Sequence, residues 1–270
     1  MGDPLGGTVL VTGASSGIGV AFARGFARTA GRLVLVARRL ERLERLAAEL
    51  GAAHPRLVVE LWPCDLADGV ALEALALRAA AADIDILVNN AGLGDQNFVE
   101  DSEWPRMAEL IAVNVVAPTR LCQALVPGMV ARGRGGVLNV SSGFGITYLP
   151  GFATYVGTKH YMTGFTDTLR AELSGTGVRV TQVLPGPVAT EFHGVAQGTV
   201  PVHPPGFATV SAEVCAEQAI ATFARGWAFT VPGVVYGLAS WGARLLPRWL
   251  WRRITAGFAR YLRPRRQRGA

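Results

Sequence analysis

Tyr155 and Lys159 stand four positions apart in the stretch 142–159, and Lys159 is the only lysine of the 270-residue chain. On a helix, positions i and i+4 lie on one face, so the ammonium group would lie beside the phenol. A neighbouring cation favours the phenolate, which lets a tyrosine exchange a proton near neutral pH. The pair is therefore a candidate acid–base catalyst, although two such residues four apart also occur by chance.

A serine is placed to work with this pair. Ser142 precedes Tyr155 by thirteen residues and follows the apolar run 137–140. If that run is a strand, Ser142 lies at the carboxyl edge of a sheet, where α/β proteins bind their ligands. Its hydroxyl could then hydrogen-bond a reacting carbonyl.

The charge of the chain is unevenly distributed. The sequence has 26 lysine and arginine residues against 20 aspartate and glutamate residues, a formal net charge of +6. Ten arginines and no acidic residue follow Glu217, so the first 217 positions hold 16 basic and 20 acidic residues. A basic tail on a mildly acidic body argues against a nucleic-acid-binding surface on the main domain.

The three cysteines, Cys64, Cys122 and Cys215, lie far apart and lack the spacing of metal ligands. They predict reduced thiols and no metal site. The glycine-rich stretch beginning at Gly13 leaves no room for a signal peptide before it, and no uninterrupted apolar run reaches the 18 residues of a membrane span. We therefore expect a cytoplasmic protein.

A glycine-rich loop follows the first apolar run of the chain. Residues 8–11 predict a buried strand, and the loop 12–19 leads into a helical pattern. This order of strand, loop and helix aims free backbone N–H groups at a phosphate. The apolar run 33–37 completes a βαβ unit, which is typical of dinucleotide binding.

The end of the second predicted strand indicates which dinucleotide binds. An NAD-binding protein normally has Asp or Glu there, to accept hydrogen bonds from the ribose 2′-hydroxyl. This chain instead has Arg38 and Arg39 after Ala37. Because a guanidinium pairs with a phosphate, the pattern predicts NADP(H). Both arginines could instead begin a solvated helix over 39–50.

Apolar strands and helices alternate along most of the chain. Further strands are predicted at 57–62, 84–88, 137–140, 178–184 and 229–231, and further helices at 69–82, 103–131, 153–174 and 212–224. The alternation predicts an α/β fold, a doubly wound parallel sheet of the Rossmann type with helices on both faces. We expect one domain over residues 1–240, followed by a basic amphipathic extension over 241–270.

Several short motifs, taken in their order and spacing, resemble the short-chain dehydrogenase/reductase family over residues 8–230. They are the loop 12–19, Asp65 and Leu66 after Cys64, the run Asn89-Asn90-Ala91-Gly92, Asn114, Ser142, the pair Tyr155 and Lys159, and the run PGPVAT at 185–190. Each motif is weak alone, whereas the combination is specific.

The resemblance implies a role for four candidate catalytic residues. Tyr155 would give a proton to a carbonyl oxygen, Lys159 would assist it and hold the nicotinamide ribose, and Ser142 would orient the carbonyl. Asn114 matches the family asparagine that sustains a water-mediated proton path, although an asparagine inside an apolar helix could also be a buried residue bonded to backbone. Ser141 lacks the spacing to Tyr155 and is less favoured.

The resemblance also implies the coenzyme contacts. They are Gly13, Ser15, Ser16, Gly17, Ile18 and Gly19 of the loop, Arg38 and Arg39, Asp65 and Leu66 at the adenine, Asn89, Ala91 and Gly92 along the ribose and pyrophosphate, Tyr155 and Lys159, and Pro185, Gly186, Val188 and Thr190 near the nicotinamide. Some NADP-dependent members carry a basic residue where this chain has Ser16, so the NADP(H) prediction depends chiefly on Arg38. Asn89 could instead satisfy backbone groups at its strand end.

The substrate is predicted from an absence of charge. Between Phe192 and Ser211 there is no Asp, Glu, Lys or Arg. Because a charged substrate needs a fixed counter-charge, we expect an uncharged, apolar ketone or secondary alcohol, in contact with residues after Asn90, with 144–152 and with 192–210. His193 and His203 could hydrogen-bond it or remain solvated.

The extension 241–270 combines arginines with apolar residues at helical spacing, namely Leu250, Ile254, Phe258, Tyr261 and Leu262. Such a helix could lie on an anionic membrane surface, cover the substrate cleft or pack at a subunit interface. Family members commonly associate through the helices that correspond to 103–131 and 153–174, so we expect a homodimer or homotetramer.

The leading hypothesis is an NADP(H)-dependent oxidoreductase that interconverts an apolar ketone and a secondary alcohol. One alternative is a non-catalytic dinucleotide sensor or scaffold, against which the presence of Asn114, Ser142, Tyr155 and Lys159 argues. Another is a membrane-surface reductase of lipid-derived ketones, in which the extension supplies the attachment.

Overall fold

The sheet is the element on which the site is built. The computed structural model describes residues 5–191, 198, 200, 206, 209–233, 242 and 247–266. Within those residues, seven strands form one sheet: β1 (Thr8–Thr12), β2 (Arg32–Ala37), β3 (Val58–Pro63), β4 (Ile86–Asn89), β5 (Gly135–Val140), β6 (Val178–Val183) and β7 (Phe229–Thr230). All neighbours pair in parallel, in the order β3-β2-β1-β4-β5-β6-β7. The chain therefore reverses its direction across the sheet between β3 and β4, beside β1.

Helices connect the strands. They are α1 (Gly17–Phe26), α2 (Leu40–Ala53), α3 (Gly69–Ala80), α4 (Trp104–Ile111), α5 (Ala117–Ala131), α6 (Ala153–Glu172), α7 (Ala212–Ala224) and α8 (Arg248–Arg266). These helices form where the sequence places apolar residues at helical spacing. In α2 the buried residues are Leu43, Leu46 and Leu50, which share one helix face. Asp68 caps α3 by accepting the N–H groups of Val70 and Ala71.

Two apolar layers cover the two faces of the sheet. Val9 and Val11 of β1 pack in the layer formed with α1, α2 and α7, whereas Leu10 packs in the layer formed with α3, α5 and α6. Strands that are buried on both faces must be apolar at successive positions. For this reason the strand sequences do not alternate between apolar and polar residues. The predicted fold class is confirmed.

The predicted helix 103–131 is interrupted. A π-helical turn, Ala112–Val116, separates α4 from α5. Pro118 has no N–H to donate to the carbonyl four residues earlier, that of Asn114, which removes one bond of a continuous α-helix. Within the described residues, Trp104–Ala131 is the one helical stretch with the length and hydropathy of a membrane span, and part of it is buried inside the molecule.

The C-terminal helix α8 packs against the body of the protein. Leu262 is buried beside Phe98 and Val200, and the Trp251 ring meets the Tyr148 ring edge-on at 6.2 Å. Of the apolar positions at helical spacing, Leu262 is buried and Phe258 packs against the same cluster, whereas Ile254 remains 48% exposed. Residues 234–241, with the predicted boundary at 240, lie outside the described residues.

The three cysteines are free and buried. Burial raises the pKa of Cys122 and of Cys215 to about 12. Burial, with Asp65 and Asp68 nearby, raises the pKa of Cys64 to about 11. All three thiols therefore stay protonated and unreactive at neutral pH.

Candidate active site

A cleft of about 640 Å³ runs along the carboxyl edge of the sheet. Its lining includes these predicted coenzyme contacts: Gly13, Ser15, Ser16, Gly17, Ile18, Arg38, Arg39, Asp65, Leu66, Ala91, Gly92, Pro185, Gly186, Val188 and Thr190. Three predicted catalytic residues, Ser142, Tyr155 and Lys159, line the same cleft. One cavity thus brings together residues from the segments that follow six different strands, and its volume is in the range of small-molecule and cofactor sites.

The glycine-rich loop is held tightly against the next strand of the sheet. Gly13 has a φ of +68°, a conformation that favours glycine. The Thr12 Oγ1 accepts the backbone N–H groups of Asn90 and Ala91 at 3.0 and 3.1 Å. A Cβ atom on Gly19 would overlap the carbonyl oxygen of Gly13. Gly19 does not line the cleft itself but allows the loop and α1 to approach closely.

We expect Gly19→Ala to weaken coenzyme binding by at least about tenfold and to lower the free energy of unfolding by about 1–3 kcal/mol, because the loop backbone must move. Gly51→Ala in α2 is the matched control, since a Cβ there meets nothing within 4 Å. That variant should bind normally and be slightly more stable, by about 0.5–1 kcal/mol. Coenzyme titration and denaturant unfolding of both variants measure the two effects, and equal behaviour would contradict the argument.

Arg38 lies in the cleft and contacts two carboxylates. Its Nη1 is 3.2 Å from Glu109 Oε1 and 3.7 Å from Asp65 Oδ2. Glu109 also pairs with Arg106 at 2.8 Å. A phosphate that binds Arg38 must therefore compete with Glu109. The sequence offered no signal for this residue, because Glu109 lies on α4, far along the chain from Arg38.

Arg39 joins the glycine-rich loop to the segment after β6. Its guanidinium donates to Ser15 Oγ at 3.2 Å and lies 3.4 Å from Glu191 Oε2. Arg42 pairs with the same carboxylate at 2.8 Å. The hydrogen bond from Arg42, assisted by Arg39, holds the pKa of Glu191 below its ordinary value. Glu191 lines the cleft and was not among the predicted site residues.

At the other end of the cleft lie Tyr155 and Lys159, both buried in α6. The Lys159 Nζ donates to the Val140 carbonyl at 3.1 Å and lies 5.7 Å from the centroid of the Tyr155 ring. Burial lowers the pKa of Lys159 to about 8. Phe144 meets the Tyr155 ring edge-on at 6.1 Å. The cation and the phenol are therefore neighbours, as the i and i+4 spacing predicts.

The two adjacent serines differ in their contacts. Ser141 Oγ donates to the Lys159 carbonyl at 3.0 Å and lies 3.2 Å from Thr163 Oγ1, so it attaches β5 to α6. Ser142 Oγ accepts the N–H of Phe144 at 3.2 Å. That bond uses a lone pair and leaves the hydroxyl proton for a ligand. Of the two serines, Ser142 is therefore the one whose hydroxyl proton is not used in these contacts.

Asn114 lies in the π-helical turn and does not line the cleft. Its Oδ1 accepts the N–H of Leu93 at 2.8 Å, and its Nδ2 donates to the Leu93 carbonyl at 2.9 Å and to Thr158 Oγ1 at 3.1 Å. A Cβ on Gly92 would lie 3.5 Å from Asn114 Oδ1 and 3.6 Å from Lys159 Nζ. Asn114 thus fixes the segment after β4 beside Lys159, and its part in a water-mediated proton path stays a prediction.

Asn89 also does not line the cleft. Its Nδ2 donates to Asn139 Oδ1 at 2.9 Å, and Asn139 Nδ2 donates to Thr166 Oγ1 at 2.9 Å. This buried chain joins β4 to β5 and α6. The neighbouring Asn90 lines the cleft instead, and its Nδ2 donates to the Thr12 carbonyl at 2.9 Å.

The wall beyond Tyr155 is formed by Leu93, Gly94, Asp95, Gln96, Phe144 and Phe152. The buried Asp95 accepts hydrogen bonds from Asn97 at 2.6 Å and from Ser102 at 2.7 Å. Gln96 Nε2 donates to the Val200 carbonyl at 2.6 Å. Sequence reasoning indicated this region but singled out neither Asp95 nor Gln96, because their partners lie elsewhere in the fold. His193 and His203, with most of 192–208, lie outside the described residues.

Comparison with known proteins agrees with this geometry. Residues 7–199 match the family model for short chain dehydrogenase. The chain belongs to the short-chain dehydrogenase/reductase family. It is an oxidoreductase by that membership.

Three relatives illustrate the range of this family. Galactitol 2-dehydrogenase (L-tagatose-forming) from Cereibacter sphaeroides is 40% identical over 69% of this chain and 73% of its own. A short-chain dehydrogenase from Sphingobium yanoikuyae, solved with NADPH, is 35% identical with a TM-score of 0.78, over 88% of this chain and 93% of its own. A bulky-bulky ketone specific alcohol dehydrogenase from Comamonas testosteroni is 29% identical with a TM-score of 0.74, over 83% of this chain and 85% of its own.

Proposed function

We propose that this protein interconverts an uncharged, apolar ketone and its secondary alcohol, with NADP(H) as the coenzyme. The observation that supports the proposal best is the lining of one cleft: Ser142, Tyr155 and Lys159 lie at one end, and the glycine-rich loop and Arg38 lie at the other. The site therefore offers a proton donor beside a buried cation, together with a place for phosphates.

The residues of the cleft fit NADP(H). The close approach of Gly13 and Gly19 leaves backbone N–H groups at the start of α1 for a pyrophosphate, and Arg38 offers a guanidinium for a 2′-phosphate. Lys159 would hold the ribose hydroxyls. The NADPH complex of the Sphingobium relative supports this choice of coenzyme. When bound, the coenzyme supplies or accepts the hydride.

Residues of the chain itself transfer the proton. Ser142 donates a hydrogen bond to the carbonyl oxygen, which polarises the carbonyl, and Tyr155 gives its phenolic proton to that oxygen. The Lys159 ammonium stabilises the phenolate that remains, because an opposite charge nearby favours the charged form. In the direction of alcohol oxidation the same groups act in reverse, so Tyr155 takes the proton of the hydroxyl.

The wall of the cleft favours an uncharged substrate. Leu93, Phe144 and Phe152 are apolar, and both carboxylate oxygens of Asp95 already accept hydrogen bonds from the protein. Similarity to the Comamonas enzyme, whose description names bulky ketones, supports an apolar substrate. The Cereibacter relative is described as acting on a polyol, so a substrate panel must include polar alcohols.

The test is oxidation of NADPH and NADH by the purified protein with apolar ketones, including steroid, acyl and aromatic examples, and reduction of NADP+ with polar and apolar alcohols. We expect NADPH-dependent turnover of apolar ketones. Turnover of polyols alone would reject the proposed substrate class. Coenzyme binding without turnover of any substrate, in either direction, would support the alternative of a dinucleotide sensor.

Arg38→Asp should lower the ratio of kcat/KM for NADPH to that for NADH by about 100-fold, because it removes charge-assisted hydrogen bonds to the 2′-phosphate and introduces repulsion. Arg45→Asp makes the same change of charge at an exposed position of α2 outside the cleft, and it should leave the ratio unchanged. Steady-state kinetics with both coenzymes gives the ratio. If Arg38→Asp and Arg45→Asp behave alike, Arg38 does not contact the phosphate.

We further propose a cytoplasmic homodimer or homotetramer. Large apolar side chains are exposed along α4, the π-helical turn and α6, namely Trp104 at 70%, Val116 at 49% and Tyr161 at 40%. Such side chains are enriched at subunit interfaces. The three buried, unpaired thiols suit a reducing compartment. Light scattering of the purified protein measures the number of subunits.

A further inference from the structure

The helix α8 has an unusual composition for a helix on the surface of an acidic body. It contains no Asp or Glu, and no acidic residue follows Glu217 anywhere in the chain. Its described side chains include four arginines, Arg252, Arg253, Arg260 and Arg263. A surface helix that serves only solubility usually mixes both signs of charge, which gives pairs along the helix.

One face of α8 is fixed to the protein beside the substrate end of the cleft. Thr255 and Leu262 are buried, and Leu262 packs with Phe98 and Val200. Arg263 pairs with Glu100 at 2.7 Å, and its guanidinium lies 4.6 Å from the centre of the Phe98 ring. Phe98 and Glu100 belong to the segment that begins with the cleft residues Gly94, Asp95 and Gln96. The helix α8 therefore packs on the segment that leads out of the cleft.

The opposite face of α8 is exposed and carries a different chemistry. Trp249, Arg253 and Arg260 follow one another at helical spacing, and Trp249 is 60% exposed. The Arg253 guanidinium lies 5.7 Å from the centre of the Trp249 ring. Ile254, 48% exposed, flanks this stripe. Across the described part of the chain, Arg252, Arg253 and Arg260 form no ion pair, whereas Arg24, Arg42 and Arg120 on the body each pair with a glutamate.

We propose that this exposed face of α8 docks on the surface of a bilayer that contains anionic phospholipid. Unpaired guanidinium groups with no neighbouring carboxylate on the helix complement a negative surface, and they bind phosphate groups. An exposed tryptophan and isoleucine in the same face suit the boundary between headgroups and acyl chains. Because the buried face of α8 packs on the segment that leads out of the cleft, docking places α8 between that segment and the lipid.

The experiment is sedimentation of the purified full-length protein with vesicles. One vesicle population is phosphatidylcholine alone, and the other contains about a third phosphatidylglycerol. We expect binding to the second population only, and we expect it to weaken when the ionic strength is raised, because salt screens the attraction. Equal binding to both populations, or binding to neither, would reject the proposal.

Matched variants then locate the binding surface. Arg253→Gln with Arg260→Gln should lower the partition coefficient by about 25-fold, since each arginine near an anionic surface contributes about fivefold. Arg45→Gln with Arg56→Gln removes two exposed arginines elsewhere and should have no effect. Both double variants should turn over soluble ketones like the parent. If loss of Arg253 and Arg260 changes the molar mass in solution and not vesicle binding, the face is a subunit interface and the membrane proposal is wrong.

Discussion

Tyr155→Phe should reduce kcat for ketone reduction by at least about 100-fold while the Kd for NADPH stays within about twofold. The variant removes one proton donor, and general acid catalysis contributes about 10² to 10⁴ to the rate. The ring stays in place, because its packing against Phe144 does not involve the hydroxyl. Single-turnover reduction with NADPH and equilibrium titration of the coenzyme measure the two quantities separately.

Tyr161→Phe is the control for this variant. It makes the same chemical change on the same helix, at a residue that does not line the cleft and whose Oη lies 3.0 Å from Thr119 Oγ1. It should retain turnover. If Tyr155→Phe kept more than a tenth of the parent activity, another group would supply the proton and the proposed mechanism would fail.

Lys159→Met should abolish activity and yet stabilise the coenzyme-free protein. Lys159 is buried, and its burial lowers the pKa of the ammonium from 10.5 to about 8. At pH 7 the folded protein therefore keeps a cation in a site that disfavours it. Replacing the cation with methionine, of similar length, should raise the free energy of unfolding by on the order of 2 kcal/mol, after allowance for the lost hydrogen bond to Val140.

The gain should depend on pH in a defined direction. Between about pH 8 and 10.5 the unfolded parent binds more protons at this residue than the folded parent, so the stability of the parent rises with pH across that window. The advantage of Lys159→Met is therefore greatest below pH 8 and disappears above pH 10.5. Lys159→Arg, which keeps a buried cation, should show no gain. Denaturant unfolding from pH 7 to 10.5 measures the differences, and a gain that does not change with pH would show that burial of charge is not its cause.

Local patterns were sufficient to predict most of the fold. The strands, the glycine-rich loop and the helices depend on apolar runs, glycine spacing and helical periodicity, all of which act over a few residues. The π-helical turn differs, because its apolar sequence does not distinguish it from the helices on either side, and Pro127 lies inside α5 without interrupting it. In α8 the exposed Ile254 departs from the apolar pattern, and Trp251 packs on Tyr148, a contact between distant parts of the chain that no local pattern predicts.

The site was predicted less completely than the fold, for a physical reason. Spacing places Tyr155 beside Lys159, but only burial in the folded protein sets the protonation of Lys159 itself. Asn89 and Asn114 belong to recognisable motifs, yet their amides hold backbone and neighbouring strands together. Glu109 and Glu191 approach Arg38 and Arg39 from other elements, so no local pattern in the sequence predicts these ion pairs.

The reversal of the chain between β3 and β4 separates two sets of segments that line the cleft. The segments after β1 and β2 supply the glycine-rich loop and Arg38, and the segments after β4 and β5 supply the residues that we propose for acid–base chemistry and for contact with the substrate. The wall residues 94–96, Phe144 and Phe152 lie after the reversal, outside the segments that supply the glycine-rich loop and Arg38. We therefore expect that exchange of the wall segments changes the substrate specificity, while the glycine-rich loop and Arg38 keep their sequence and their coenzyme.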